Sequence, residues 1–253
     1  MITIDLTTLA QLNSKSVLSS TDTGYQSLRQ KALSEAALTL GVQGGLYEVS
    51  QFINGELEQL SGVLYRIYNF NALLLKNNVL PPVLESGYNL SSISQDAKKV
   101  ILNGQTYHFV HQAHFVSTAP TWRDYLIMHY GRPELPDRSV LPENEKEQIE
   151  WVKTLSYGWE KGIEQGMEIF KQRLHILNRD YNGMLIYFEL LNRNMVVSPY
   201  VHKSYRAIDV SKNDLSLGNQ NWQMTLVPQF QSDTKRWELS LHSPLKKALA
   251  TGE

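Results

Sequence analysis

Three histidines, His108, His111 and His114, stand at three-residue intervals, and Glu160, Glu164 and Glu168 stand at four-residue intervals. The first set raises the chemistry of a metal site, the second that of a carboxylate pair. Metal ligands must converge on one point. On a strand His108 and His114 point one way and His111 the other; on a helix His114 sits about 120° from His108. Neither geometry gathers all three, so they read as hairpin histidines and no metal is expected. The glutamates share one helix face, where two carboxylates at the right separation could cleave a glycosidic bond. Lys161, Lys171 and Arg173 accompany them, however, as on any solvated helix face. No catalytic role is expected for them.

Other signatures are missing from the sequence. No G-x-S-x-G elbow accompanies the serines, and no G-x-x-x-x-G-K-[ST] loop is present to cradle phosphate. Gly41, Gly44 and Gly45 lie in a helical pattern rather than after a strand, the wrong context for a dinucleotide site. The chain has no cysteine, which excludes disulfides, thiol catalysis and Cys-ligated zinc. The expectation is a protein that is not an enzyme and has no cofactor.

Two other residue groups have a structural logic. Gly158, Gly162 and Gly166 repeat every four positions, as do Gly41 and Gly45. A glycine costs a helix interior about 1 kcal/mol relative to alanine, so such stripes need a close backbone approach. They read as helix-packing faces, within the chain or against another subunit, with the Gly41/Gly45 helix the natural partner of the other. Trp122–Arg123–Asp124–Tyr125 combines residue types enriched at binding hot spots. Trp122, Arg123 and Tyr125 therefore stand as interface candidates, against the alternative that the aromatics anchor a long connector.

The elements that must position these residues follow from composition and period. Acidic and basic residues nearly balance at 25 and 24, without a block of either sign. That argues against nucleic acid as a partner, which calls for clustered Lys and Arg. No apolar run approaches the ~20 residues of a membrane helix, and the first residues lack the basic and apolar regions of a signal peptide. Residues 1–24 are polar without a settled period and read as weakly ordered. Residues 25–241 read as one α+β domain, and residues 242–253 as a flexible tail.

Leu33, Ala36, Ala37, Leu40, Gly44 and Tyr47 follow helical spacing. Ile53, Leu57, Leu60, Leu64 and Ile67 continue it, in the same helix or after a break near Asn54–Gly55. Pro81 and Pro82 stop any helix. Residues 97–117 read as a β-hairpin turning at Asn103–Gly104, a pair suited to a type I′ turn. Residues 118–142 form an extended connector with Pro120, Pro133, Pro136 and Pro142. A long helix follows from Glu143 to about Asn178, with Pro142 at its first position and a second helical stretch after Asn182–Gly183. From Pro199 to Leu241 the pattern alternates like strands, with turns at Asn213–Asp214, Gly218–Asn219 and Ser232–Asp233. The fold class is α+β: long helices packed through glycine faces, with β-hairpins in the middle and C-terminal parts.

Five collinear segments carry a resemblance: Leu73–Pro82 (LLLKNNVLPP), Thr118–Leu126 (TAPTWRDYL), Pro133–Pro142 (PELPDRSVLP), Trp159–Gly166 (WEKGIEQG) and Asn178–Val201. Together, across roughly residues 30–230, the chain resembles the DotC family of type IVB (Dot/Icm-type) secretion systems. The resemblance implies a scaffold of the secretion core complex, a lipoprotein on the periplasmic face of the outer membrane. It implies partners as well: the lipoprotein DotD, with which the family brings the secretin-like DotH to that membrane. A lipoprotein needs a leader and a lipidated cysteine, neither of which is in these residues, so the expectation is a soluble portion without its anchor. The loop residues Asn77, Asn78, Pro81 and Pro82 join the interface candidates. The competing readings are a periplasmic cell-wall hydrolase using Glu160 and Glu164, and a non-catalytic peptidoglycan-binding module with an aromatic-lined groove.

Overall fold

The structure, a computed structural model, describes residues 6–11, 23–93, 100–210 and 215–237. The fold is α+β and divides into two compact units, where the sequence reads as one domain. A helical unit comprises Met1–Ile67 and Trp122–Ile176; a strand unit comprises Tyr68–Thr121 and Leu177–Glu253. The expected tail at 242–253 and the turn at Asn213–Asp214 lie outside the described residues.

In the helical unit, α1 (Leu6–Ala10), α2 (Thr23–Gln59), α3 (Ser61–Ile67) and α4 (Trp122–Leu126) join the first part of α5 (Glu145–Asn192). Leu33, Ala37 and Leu40 of α2 meet Trp151, Leu155 and Trp159 of α5 in one core cluster. Leu6, Leu9 and Ala10 pack into that core from within residues 1–24, which read as weakly ordered and mostly lie outside the described residues. Leu9 is buried, its carbonyl accepts the Trp151 indole N–H at 3.4 Å, and the Ala10 carbonyl accepts from Gln148 at 2.6 Å. Scattered leucines in a polar stretch carry too little period to announce such a helix.

Of the two readings for the first long helix, the unbroken one holds at Asn54–Gly55, and the helix breaks instead at Leu60; Leu60 and Ile67, expected on the buried face, are exposed. The second long helix starts at Glu145, not at Pro142. Asn144 caps it: its side-chain oxygen accepts the Glu147 N–H at 2.9 Å, and the Glu147 carboxylate accepts the Glu143 N–H at 2.9 Å. This satisfies donors that the first turn leaves open, close to a capping box.

The glycines of α2 and α5 pack against each other. A Cβ on Gly41 would land on the Leu155 carbonyl oxygen, and one on Gly158 would lie 2.6 Å from the Leu38 carbonyl oxygen. Gly45 meets the Trp159 carbonyl, Gly162 the Val42 carbonyl, and Gly166 the Val49 side chain in the same way. The helices touch backbone to backbone, a separation that any side chain at Gly41, Gly45, Gly158 or Gly162 would prevent.

In the strand unit, each sheet has two strands among the described residues. β1 (Val79–Leu80) pairs with β4 (His114–Phe115), and β2 (Val83–Ile93) with β3 (Val100–His111). β5 (Val196–Val197) pairs with β8 (Gln229–Phe230), and β6 (Tyr200–Val210) with β7 (Leu215–Leu226). All four pairs are antiparallel. Asn103–Gly104 is therefore not a turn. It lies inside β3, where Tyr88 faces Gln105 and Leu90 faces Leu102, so two residues oppose one and the pair forms a bulge. Gly218–Asn219 likewise sits within β7, and a bend falls at Ser232.

The last part of α5 belongs to this unit and corrects the expected interruption at Asn182–Gly183. The helix continues unbroken to Asn192, about 70 Å in all at 1.5 Å per residue. A Cβ on Gly183 would lie 2.5 Å from the Val83 side chain and 2.6 Å from the Leu84 carbonyl oxygen. The glycine is there for the approach of β2. Leu84, Tyr187, Leu190 and Val196 form the core around it. Tyr181 meets Tyr68 and Phe70 edge-on, and the Tyr68 hydroxyl donates to Asn178 at 2.6 Å.

Candidate functional site

The loop before β1 is built on two left-handed residues, Asn77 (φ 64°) and Asn78 (φ 52°). Asparagine tolerates this region better than other side chains, which accounts for the pair. The turn closes with the Leu75 N–H donating to the Val79 carbonyl at 2.9 Å, and Val116 donates to the Asn78 carbonyl at 2.9 Å. Pro81 and Pro82 are buried, while Asn78 is exposed and Asn77 half-buried. Of the four loop candidates, the asparagines are the ones a partner can reach.

In the helical unit, Trp122 opens the five-residue α4 and is fully buried. Tyr65 packs edge-on against it at 5.9 Å, and the Arg123 guanidinium lies 4.6 Å from the indole ring. Arg123 grips the Glu58 carboxylate with both terminal nitrogens, one bond at 2.7 Å, and donates to the Tyr65 hydroxyl at 3.1 Å and to Ser61 at 3.4 Å. Arg123's hydrogen bond holds the Glu58 carboxyl below its ordinary range, and the same bond pushes the arginine's own pKa upward. The Tyr125 carbonyl accepts from Arg173 at 3.2 Å. Trp122 is thus buried at the start of α4, Arg123 is a half-exposed clamp, and Tyr125 is half-buried.

Three residues outside the candidate set hold that connector by its backbone. Asn54 pairs with Met128, donating to its carbonyl at 2.8 Å and accepting its N–H at 3.1 Å. Arg173 also donates to the Ile127 carbonyl at 3.0 Å. Arg29 donates to the carbonyls of Ser139 and Leu141 at 2.9 and 3.1 Å, to Glu147 at 3.1 and 3.2 Å, and lies 3.2 Å from Glu143. Burial works to raise the Glu147 pKa, but the Arg29 and Glu143 N–H bonds outweigh it and the net shift is downward. Single polar residues on helices carry no sequence signal for such long-range contacts.

The histidines have three different surroundings. His108 lies 3.3 Å from Glu85, His111 lies 3.3 Å from Arg179, and His114 lies 3.2 Å from the Gln112 carbonyl. Glu160, Glu164 and Glu168 are all exposed. Glu164 pairs with Lys161 at 2.6 Å and Glu168 with Lys171 at 3.6 Å. The Lys161 hydrogen bond lowers the Glu164 pKa, the opposite of what a general acid needs.

The described residues therefore offer anchored loops and exposed aromatic side chains such as Tyr200, Tyr205 and Trp222, and among them no cluster of three potential metal ligands. No curated protein is similar enough to count as a match. The family model described as type IV secretory system, conjugal DNA-protein transfer (TraI) matches residues 27–239, which takes in both the helices and the strand pairs. The chain belongs to this TraI family of type IV secretory system proteins.

Proposed function

We propose that the chain is a non-catalytic assembly component of a type IVB secretion core complex, similar to DotC. In this reading it works at the periplasmic face of the outer membrane, held there by a lipid anchor. With a DotD-type lipoprotein it brings the secretin-like DotH-type subunit to the membrane. The observation that carries the reading is the type IV secretory family match over residues 27–239. The exposure of Glu160, Glu164 and Glu168, the last two paired with lysines, supports it further, because a hydrolase acid needs a desolvated carboxylate. The near-neutral charge fits a protein that handles the machinery rather than nucleic acid.

The test is co-purification with DotH-type and DotD-type subunits, read by size-exclusion chromatography with light scattering. A stable complex containing either subunit is expected. A folded chain that binds neither, also when lipid-anchored in vesicles, would sink the proposal.

A further inference from the structure

The two halves of the strand unit repeat the same strand pairing, in matching register as far as Tyr88 and Tyr205. Val79 faces Phe115 and Leu80 faces His114; Val196 faces Phe230 and Val197 faces Gln229. Two residues then separate the short strand from a long one in each half, and the second of them is proline, Pro82 or Pro199. The long ladders keep the same register: Leu84 faces Phe109 as Val201 faces Met224, and Ser86 faces Tyr107 as Lys203 faces Trp222. Tyr88 faces Gln105 and Tyr205 faces Gln220, the same residue pair at the same step. Both ladders slip at their first step, between Val83 and Leu84 and between Tyr200 and Val201.

Smaller details repeat as well. A left-handed asparagine precedes each half, Asn77 (φ 64°) and Asn194 (φ 54°). Val116 donates to the Asn78 carbonyl at 2.9 Å, and Gln231 donates to the Met195 carbonyl at 2.9 Å. The first strands of the halves lie 117 positions apart, and the last strands 115 apart.

The helical unit carries the same offset. Gly158 and Gly162 lie 117 positions after Gly41 and Gly45, and each glycine meets its counterpart's helix. Any crossing of two parallel helices has a local two-fold of its own, so this contact alone would prove little. Its offset equals that of the strands, which packing does not require. Val49 and Gly166, also 117 apart, touch each other, with the valine filling the space the glycine leaves.

We infer that this chain is a tandem duplication of one module, a long helix followed by a four-strand arm, spanning Thr23–Phe115 in the first copy and Glu145–Phe230 in the second. Bulges and left-handed residues are specific features rather than defaults of hairpins, and the slip at the first ladder step and the left-handed Asn77 and Asn194 recur at one offset, while the bulge at Asn103–Gly104 and the left-handed Asn78 belong to the first half. The glycine-faced helix and the two strand pairs of the module therefore each occur twice in one chain.

The test uses the full chain. One variant replaces residues 77–116 with a second copy of residues 194–231, and is read by circular dichroism and thermal melting. A cooperative melt with native strand content supports the duplication. If the exchange does not fold, substitutions at equivalent positions decide. Val116→Pro and Gln231→Pro remove equivalent N–H donors, and Val79→Ala and Val196→Ala truncate equivalent buried valines. Losses in melting temperature that agree within each pair to about 2 °C support the inference. Losses that differ several-fold within both pairs overturn it.

Discussion

Asn54 and Met128 exchange two hydrogen bonds, side chain to backbone, at 2.8 and 3.1 Å. A primary amide is the one neutral side-chain group of this size that both donates and accepts along parallel directions, and here it imitates a strand neighbour for a connector that has none. Asn54→Ala leaves a buried N–H and carbonyl without their partner. The expected loss is about 1–3 kcal/mol, measured by chemical denaturation. Asn54→Asp keeps the acceptor, loses the donor, and should fall between. A wild-type midpoint for Asn54→Ala would show that the pair contributes nothing.

Glycine substitutions should reverse sign with position. Gly162→Ala drives a methyl group into the Val42 carbonyl and is expected to cost about 1–3 kcal/mol as overpacking. Gly55→Ala, in an exposed turn of α2 with nothing within 4 Å, should stabilise by about 0.5–1 kcal/mol through helix propensity. Thermal melts of the two variants are the check, and shifts of the same sign would refute the backbone contact.

Trp122→Ala should act on stability before it acts on assembly. The side chain is fully buried, and removing a core tryptophan costs about 3–5 kcal/mol. Arg123→Gln, by contrast, alters a half-exposed clamp. If Trp122→Ala assembled poorly yet melted like the wild type, the indole would have to be an interface residue after all.

Acid should weaken the grip of Arg29. The Glu147 carboxyl sits below its ordinary value of 4.5 in the folded chain, so its contribution is fully present above that value. It disappears as pH falls through the lower, folded value. The wild type should lose stability between neutral pH and about pH 3, and Glu147→Gln should lose less over the same range. Denaturation curves for both at the two pH values make the comparison; equal losses would remove Glu147 from the acid response.

Much of the local structure was legible before any contact was known. The period of Leu33, Ala37 and Leu40 announces α2, and the four-residue glycine spacing announces a face without side chains. Neighbouring residues decide these features, so local pattern reports them. The exposed Leu60 and Ile67 show the limit: apolar spacing marks a face, and only the neighbouring elements decide whether that face is covered.

Elsewhere one local pattern satisfies two structures. Asn103–Gly104 suits a hairpin turn and equally a bulge, and the choice fell to the ladder partner, β2, whose Ser-rich sequence hides a strand. Asn182–Gly183 suits a helix end, yet α5 continues because β2 occupies the space that Gly183 leaves open. Trp122 suits a binding hot spot and equally a core anchor; in the fold its ring is buried against Tyr65 and Arg123, one distant and one adjacent in sequence. By itself the sequence determined the periodic faces of the two long helices and the glycine stripes that bring them together. Tertiary structure alone decided which strand pairs with which and which aromatic is buried, because those energies arise from groups far apart in the chain.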